Sequence, residues 1–476
     1  MPSLIILIPL LGLVILNLPI KDFMRKISFW FALALFIAQT LIAIYHNPIF
    51  WHNQLELVDP FFKVNFSLDH LSFVMLLCIG TVSIASLLVA RHTIYDEKER
   101  FKFINLLIIA SMGMSGIVMV KDIFSLYVFL EITAISSFIL IAFEKDVYAL
   151  EGAFKYLVLS SIATIMLLSS IALLLLVSGS TSFAAIQQAV HSPNNNIIVV
   201  AIGLFICGLL IKGGVVPFHA WVPDAYESAP SAASVLLAGI VTKAAGIYTL
   251  IRVVTAIFGF DPTVKSIFLF LGALSILVGA FAAMGAKDMK RLLAYSSISQ
   301  VGYIIIGFGT GTFLGVAGAI FHLFNHSIFK SLLFVNSSAV ETQLGTTSMD
   351  KMGGLASKMP ITGTTSVIGM LSAAGIPPLA GFWSKLMIII ALWQSGSRTY
   401  SVIAVVAGVL TLAYLLLMQR NAFFGKLSDD NKDVREAGLS ITSASVMLAT
   451  IIVVAGVFFP YIFSKYIAPL QEIILK

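Results

Sequence analysis

Long apolar runs recur along almost the whole sequence, and they limit what the chain can fold into. A helix rises about 1.5 Å per residue, so about twenty apolar residues cross the roughly 30 Å hydrocarbon core of a bilayer. Charged residues make up only 11% of the 476 positions, whereas they supply about a quarter of an ordinary soluble domain. The runs are also too long for the short alternating strands of an outer-membrane barrel. The sequence therefore predicts an all-α, polytopic membrane protein.

We expect about fourteen transmembrane helices from the number of these runs. They lie near residues 3–20, 28–46, 68–90, 103–120, 122–142, 153–177, 197–230, 232–254, 266–286, 291–310, 313–340, 361–394, 400–420 and 439–464. The loops between them are too short to hold a folded domain with its own core. The first run has no basic segment and no small-residue cleavage site, so we interpret it as a span rather than a cleaved signal.

The basic residues are distributed unevenly over the predicted loops. If the loop holding Lys21, Arg25 and Lys26 lies in the cytoplasm, more than twice as many Lys and Arg residues fall inside as outside. Cytoplasmic loops of membrane proteins carry such an excess. We therefore expect a multi-pass protein of a prokaryotic cytoplasmic membrane with both termini outside, which agrees with an even number of spans.

Two lysines lie in apolar runs in the middle of the chain. Lys212 ends the run that begins near residue 197, and Lys243 lies inside the run at 232–254. A lysine at the centre of a transmembrane helix costs roughly 2.5–3.5 kcal/mol on insertion scales, so it normally faces a partner or water within the protein. Both lysines are therefore candidates for an ion path.

Glycine and proline interrupt two of the runs, which we number helices 7 and 12. The breaking residues are Gly213, Gly214 and Pro217 in the first and Pro377 and Pro378 in the second. Proline removes a helical N–H and clashes with the preceding turn, so each helix should be interrupted there. Paired broken helices in corresponding halves of a membrane protein indicate an inverted repeat with its ion path near the bilayer centre.

The two breaks suggest how the chain is divided. We expect helices 1–3 in residues 1–102 and helix 14 in residues 439–476. Between them we expect two inverted repeats of five helices each, with helices 4–8 in residues 103–254 and helices 9–13 in residues 266–420.

Glu131 lies within an apolar run and has Lys212 as its natural partner. One interpretation is a carboxylate that binds a hydroxyl or a backbone donor and only fixes packing. A carboxylate inside a membrane more often marks function. When Glu131 and Lys212 are paired, both groups stay charged. When they are apart, burial favours the neutral form of each group. The pair would then act as a switch.

His322, His326 and Lys330 recur every four residues, so they share one face of a helix. A single histidine in an apolar helix is more often a hydrogen-bonded core residue. Three ionisable groups on one stripe instead favour a proton relay, because histidine titrates near neutral pH and lysine does so when it is buried.

The remaining charged residues near the breaks allow more than one interpretation. Lys385 lies near one end of its run, so its ammonium could reach the membrane surface instead of lining a path. His219, Asp224 and Glu227 fit capping, turn formation or the lining of a cavity equally well. Glu151 and Lys155 are spaced for an ordinary ion pair on a helix.

The sequence predicts no cofactor in this chain. Its two cysteines, Cys78 and Cys207, lie in separate apolar runs and form neither a disulfide framework nor a metal site. We find no phosphate-binding glycine loop, no cysteine set for iron–sulfur clusters and no haem attachment motif. Any redox chemistry must therefore take place in other subunits.

Several of these segments together resemble the antiporter-like proton-translocating subunits of respiratory complex I, membrane-bound hydrogenases and formate hydrogenlyases, and multi-subunit sodium/proton antiporters. The most specific segments are KGGVVPFHAWVPDAYESAP, GIVTKAAGIY, HLFNHSIFK, AGIPPLAGFWSK and the run around Glu131. The likeness covers nearly the whole chain. Because the sequence ends soon after the last run, we expect no long lateral helix of the kind found in the largest complex I subunit of this type.

The resemblance implies roles for particular residues and partners. In the family, a glutamate in helix 5 pairs with a lysine before the break of helix 7, and further lysines and histidines continue the path to helix 12. The matching residues here are Glu131, Lys212, Lys243, His326, Lys330 and Lys385. The implied partners are other membrane subunits, including similar antiporter-like chains, and a peripheral redox arm with iron–sulfur clusters and nickel–iron or flavin. The segment PFHAWVPDA resembles the complex I and hydrogenase branches more than the stand-alone antiporter branch.

Three functional hypotheses follow from these observations. The first is a proton-translocating subunit of a redox-driven complex, which would leave the redox catalysis to other subunits. The second is a subunit of a secondary sodium/proton antiporter without a redox partner, in which a hydrated cavity admits sodium. The third is a structural membrane anchor with vestigial charges. The sequence offers no sign of nucleic-acid binding.

Overall fold

The computed structural model describes residues 3–19, 21–48, 55–58, 65–190, 196–427 and 431–471. Within these ranges the chain is predominantly helical, and eleven helices are long and apolar enough to cross a membrane. This confirms a polytopic helical membrane protein. One small addition is an antiparallel pair of strands, β1 Leu55–Val58 and β2 Asn65–Leu68.

The first half of the described chain contains nine helices. They are α1 Leu4–Leu16, α2 Lys21–Tyr45, α3 His70–Thr93, α4 Glu97–Met119, α5 Ile123–Ile141, α6 Val147–Ser178, α7 Phe183–Val190, α8 Asn196–Lys212 and α9 Trp221–Ser228.

The second half continues with nine more. They are α10 Ser231–Phe258, α11 Pro262–Gly285, α12 Met289–Gly309, α13 Phe313–Leu344, α14 Pro360–Ala374, α15 Ala380–Gln394, α16 Arg398–Gln419, α17 Leu439–Val457 and α18 Phe459–Ile462.

Aspartates fix where many of these helices begin. A carboxylate at the N-cap accepts hydrogen bonds from the free backbone N–H groups of the first turn, which is worth about 1 kcal/mol. The aspartates that do this are Asp69, Asp96, Asp122, Asp146, Asp261 and Asp288. Much of the small acidic complement of the chain therefore defines helix ends.

The most buried helices are α10, α12 and α13, whereas α6 lies mostly at the periphery. Helix α13 packs against α3, α10, α12, α14, α15 and α17. A helix enclosed in this way has no face toward lipid. Ionisable side chains on α10 and α13 must therefore find their partners inside the protein.

Both predicted helix breaks are present. Helix α8 ends at Lys212 and α9 begins at Trp221, while α14 ends at Ala374 and α15 begins at Ala380. Gly214 has a φ of +65°, a left-handed conformation that a residue with a side chain rarely adopts. Proline and glycine therefore interrupt the helices where the sequence indicated.

Helix α10 differs from the continuous α-helix expected at 232–254. It contains wide π-helical turns at Leu237–Val241, Lys243–Tyr248 and Val254–Phe258. Such turns are often found at functional sites, because they change where side chains and carbonyls point. Lys243 begins the central one.

Two basic residues near helix ends are buried within the protein. Arg252 lies in α10 and Lys290 in α12, and each is paired with a carboxylate from a distant part of the chain. The sequence alone does not indicate these pairs, because each partner lies far away along the chain.

Candidate functional site

Glu131 on α5 and Lys212 at the end of α8 form the ion pair that the sequence predicts. Lys212 Nζ lies 3.3 Å from Glu131 Oε1 and 3.4 Å from the hydroxyl of Ser160 on α6. The hydroxyl of Thr164 donates to the same carboxylate oxygen at 2.6 Å. Two hydroxyls of α6 therefore hold a charge pair that bridges α5 and α8.

The two partners differ in their surroundings. The Lys212 side chain is 4% exposed, whereas Glu131 is 26% exposed and borders a cleft of about 190 Å³ between α5 and α6. A separate cavity of about 10 Å³ is lined by Lys212, Ser160 and Thr242 of α10, which is roughly the room that one water needs. The pair can thus be reached from the α5–α6 side and leads inward toward α10.

Lys243 is fully buried on α10. Its ammonium donates to the carbonyl of Ala238, five residues earlier on the same helix. The π-helical turns around it alter the regular register of the helix, so this carbonyl comes within reach of the side chain. Lys243 therefore has a backbone acceptor but no carboxylate partner among the described residues.

Gly246 brings α10 against the first helix break. A Cβ atom added at Gly246 would lie 2.4 Å from the Cα and N atoms of Gly213. A side chain at position 246 would collide with this backbone. Gly246 therefore allows the Lys243 helix to approach the end of the Lys212 helix closely.

We expect the substitution Gly246→Ala to destabilise the protein by about 1–3 kcal/mol, because an overpacked backbone contact must shift. Thermal unfolding of the purified protein in detergent measures the effect as a lower melting temperature. Gly203→Ala is the matched control, since its added Cβ would meet no atom within 4 Å. Equal melting temperatures for the two variants would contradict this account of the contact.

His326 and Lys330 lie fully buried on α13. Lys330 Nζ donates to the carbonyl of Leu293 on α12 at 2.9 Å, while neither ring nitrogen of His326 has a hydrogen-bond partner within the described residues. The charges of Lys243, Lys330 and Lys385 all act on the His326 ring. His326 thus shares a buried stripe of α13 with Lys330 and has no partner that fixes either ring nitrogen among the described residues.

His322 lies one turn before His326 on α13, and both of its ring nitrogens have hydrogen-bond partners. Its Nε2 lies 3.1 Å from the amide oxygen of Gln300, and its Nδ1 lies 2.9 Å from the hydroxyl of Ser384. The Gln300 amide nitrogen donates to Thr411 at 3.4 Å, which places the amide oxygen opposite Nε2 as an acceptor. The two stacked histidines, 6.3 Å apart between ring centres, are therefore not equivalent.

Lys385 does not reach a membrane surface. The residue is 5% exposed, and its ammonium donates to the carbonyl of Ala373 at 2.7 Å, across the second break. It also lies 4.4 Å from the centre of the Tyr303 ring, a cation–π distance. Burial of this kind argues against the interpretation that Lys385 extends to the interface.

The predicted residues include one direct ion pair among those that the structure describes. Glu131 and Lys212 touch each other, whereas the ammonium groups of Lys243, Lys330 and Lys385 each bind a backbone carbonyl. Like charges repel strongly where water is excluded. A proton gained by one member of this set therefore disfavours protonation of its neighbours.

Comparison with known proteins identifies the family of this chain. The NADH:quinone oxidoreductase/Mrp antiporter transmembrane family matches residues 120–411, more than half of the chain. A Na(+)/H(+) antiporter subunit of Alkalihalophilus pseudofirmus is 32% identical over 81% of this chain and 78% of that protein. The chain belongs to this NADH:quinone oxidoreductase/Mrp antiporter family.

Two further proteins are similar to the chain, one in sequence and one also in structure. An NADH-quinone oxidoreductase subunit of Desulforudis audaxviator is 29% identical over 89% of this chain and 86% of that protein. A chain of the membrane-bound sulfane sulfur reductase, an archaeal respiratory membrane complex, is 28% identical, with a TM-score of 0.91 over 100% of this chain and 98% of that one. The predicted resemblance to antiporter-like subunits is thereby confirmed.

The family match runs from before Glu131 to beyond Lys385, so it includes every residue predicted to carry ions. The sequence did not reveal the neutral polar residues around them. Gln300, Ser384 and Asn325 line the region of His322, with Asn325 donating to Ser384 at 3.2 Å. Serine, asparagine and glutamine are common in membrane helices, and only their burial beside His322 singles these out.

The charged residues next to the first break form a surface network. Asp224 binds Lys155 at 2.6 Å and Arg291 at 3.1 Å, and Glu227 binds Arg291 at 2.6 Å. The expected pair of Glu151 and Lys155 is present at 2.7 Å. Asp224 and Glu227 therefore tie α6, α9 and α12 together and line a polar cleft.

Proposed function

We propose that the chain translocates protons along the buried axis, as the membrane subunit of a redox-driven complex. Protons enter from the cytoplasm near Lys212 and Lys243, pass His326 and Lys330, and leave by way of Lys385. The observation that carries this proposal is the setting of His326, which is fully buried, has no hydrogen-bond partner within the described residues, and lies one turn from Lys330 and 6.3 Å from the His322 ring. Glu131 controls the first step through its ion pair with Lys212.

In this proposal, opening the ion pair between Glu131 and Lys212 starts proton transfer. When Glu131 stays paired with Lys212, it stabilises the protonated amine; when the pair opens, the buried ammonium loses its counter-charge and passes its proton inward. His322, held by Gln300 and Ser384, connects the α13 stripe to the helix that carries Lys385. A neighbouring subunit that displaces Glu131 would therefore set the relay in motion.

The proposal includes fourteen spans and two inverted repeats, with helices 7 and 12 as the broken ones. Support comes from a pattern that occurs twice. Asp122 caps α5, binds the hydroxyl of Thr181 and forms a bridge with Ser182. Asp288 caps α12, binds the hydroxyl of Thr347 and bridges to Ser348 in the same way.

The spacing of the repeated pattern strengthens this support. Each aspartate is 59 residues from its threonine. Backbone bonds flank both pairs alike, from Ile123 N to the Thr181 carbonyl and from Met289 N to the Thr347 carbonyl. Two copies of one structural unit explain such a match, and opposite membrane sides for the two copies agree with the distribution of basic loops.

The same proposal covers the partners and the location. We infer a prokaryotic cytoplasmic membrane with both termini outside, neighbouring antiporter-like membrane subunits, and a peripheral arm with iron–sulfur clusters and nickel–iron or flavin. The names of the relatives, components of NADH-quinone oxidoreductase and of a respiratory reductase, support a redox partner.

A secondary sodium/proton antiporter is the second candidate. The relative from Alkalihalophilus pseudofirmus, named as part of a Na(+)/H(+) antiporter, is 32% identical over most of the chain, and this likeness favours it. In that case the same lysine axis would carry protons, and sodium would cross elsewhere in the complex.

Co-purification followed by mass spectrometry separates these candidates. The chain is tagged at its native locus, extracted in mild detergent, and its stoichiometric partners are identified. Iron–sulfur subunits with nickel–iron or flavin proteins are the expected result and would name the redox couple. Recovery of small membrane proteins alone, together with sodium-driven proton flux in vesicles without an electron donor, would contradict the redox-driven function and support the antiporter.

A further inference from the structure

A large polar cleft opens where α10, α12 and α13 meet, at the end of α13 that carries Glu341. Its volume is about 1040 Å³. Carboxylates and basic groups from five separate segments line it, including Glu144, Glu151, Asp224, Glu227, Lys290 and Glu341. A cleft of this size admits many waters, and its carboxylates attract cations and protons.

Lys290, Glu341 and Ser231 form a cluster at the inner wall of this cleft. Lys290 Nζ lies 2.8 Å from Glu341 Oε2 and 2.9 Å from Oε1, and the hydroxyl of Ser231 donates to the same carboxylate. The Lys290 side chain is 4% exposed, whereas Glu341 is 34% exposed. Glu144 acts electrostatically on both. The carboxylate thus faces water on one side and a buried ammonium on the other.

Glu341 continues the stripe of α13 that carries the relay. At 3.6 residues per turn, Lys330, Ser337 and Glu341 lie within about 40° of one another around the helix. Along the helix axis, Lys330 and Glu341 are about 16 Å apart. Ser337 and Ser338 are fully buried, and their hydroxyls have no hydrogen-bond partner in the described part of the chain. Buried hydroxyls are rarely left in this state.

Helix α12 also connects the cleft to Lys330. Lys290 lies one turn before Leu293, and the Leu293 carbonyl accepts the hydrogen bond from Lys330. The seam between α12 and α13 therefore has an ion pair at the cleft and a buried amine at its inner end, and Ser337 lies between the two along the same stripe of α13. Phe334 closes the same face against Tyr226.

We propose that Glu341 and Lys290 are a second proton-uptake site, which loads Lys330 directly from the cleft through the region of Ser337 and Ser338. Glu341 takes a proton from water in the cleft and becomes a neutral acid. It then releases the proton inward, through water beside the serine hydroxyls, and the neutral amine of Lys330 becomes an ammonium. Lys290 restores the charged carboxylate. This inference rests on the proposed proton translocation and adds a separate way in.

Access to the serines can be measured without any ion transport. The two native cysteines, Cys78 and Cys207, are replaced by alanine in the assembled complex. Single cysteines then replace Ser337 or Ser338, with Thr342, which lines the cleft, as the accessible control. Ser327 is the buried control on the same helix, since it faces the position of Cys78.

A small cationic thiosulfonate is added to the cytoplasmic side of everted vesicles. We expect it to modify the cysteine introduced by Ser337→Cys and that introduced by Thr342→Cys, and to leave Ser327→Cys unmodified. An unmodified Ser337→Cys, with Thr342→Cys fully modified, would overturn the proposed path. Equal modification of Ser327→Cys would also overturn it, because access would then not follow the stripe.

The substitution Glu341→Gln gives the second readout, the initial rate of proton uptake. We expect a partial decrease, of about twofold, because the entry near Lys212 remains open, with Glu99→Gln as a control at the exposed start of α4. If the wild type translocates protons and Glu341→Gln does so at the same rate, the uptake site is wrong while the general function stands. If the wild type translocates none, the proposed function fails, and thiol access still decides whether the path exists.

Discussion

Replacing Lys385 with alanine is expected to reduce proton translocation to background while electron transfer through the partner subunits continues. Lys385 is the last buried base of the axis, held by the Ala373 carbonyl at 2.7 Å and by the Tyr303 ring. Its loss leaves protons on His326 and Lys330 without a way out. Lys212→Ala should also lower proton translocation, to the share that enters at the cleft, because it removes the group that exchanges with Glu131.

The measurement uses everted vesicles that contain the native complex. A pH-sensitive acridine dye reports proton uptake, and the oxidation of the electron donor is followed in the same sample. Lys358→Ala is the matched control, since Lys358 is exposed before α14. Proton translocation at full stoichiometry in Lys385→Ala or Lys212→Ala would show that the buried lysines are not the path, and would support a structural anchor instead.

Removing Arg252 should produce the largest loss of stability. Its guanidinium binds both oxygens of Asp69, at 2.5 and 2.7 Å, and also contacts Ser72 and Tyr248. Both partners are nearly inaccessible, so Arg252→Ala leaves a carboxylate buried without its counter-charge. Breaking a buried pair in this way costs about 3–5 kcal/mol. The network joins the start of α3 and the end of α4 to α10.

The pKa of the Asp69 carboxyl reflects its pairing with Arg252. Burial raises the pKa of Asp69, but the charge of Arg252 and the hydrogen bonds from Arg252 and Ser72 outweigh it and hold the pKa at about 2. Because the folded pKa lies below the unfolded one, the stabilisation is complete above the ordinary carboxyl range and is lost only as the pH falls toward 2. Wild-type stability should therefore show no pH dependence from Asp69 between pH 5 and 8.

Thermal unfolding in detergent at neutral pH tests the prediction. Arg252→Ala should melt far below the wild type. The double variant Asp69→Leu, Arg252→Met should recover much of the loss, because apolar residues of similar size often replace a buried pair without cost. Lys102→Ala, which removes an exposed pair with Glu99, should change little. An Arg252→Ala variant with the wild-type melting temperature would contradict the role of the network.

The sequence determined the class of protein and most of the residues on the axis. Lipid excludes charge and unpaired backbone, so a lysine or glutamate within an apolar run stands out without a structure. Glu131, Lys212, Lys243 and Lys330 were found in this way. Proline and glycine located both helix breaks for the same reason, because their effect on a helix is local.

Only the tertiary structure decided which groups meet. Asp69 and Arg252 are 183 residues apart, and nothing near either residue in the sequence indicates the other. Gln300 and Ser384 became significant only through contact with His322, and Gly246 only through contact with Gly213. The cost of a buried polar group is set by its own chemistry, and so it is visible in the sequence. Its partner is set by how distant helices pack, which composition and periodicity do not encode.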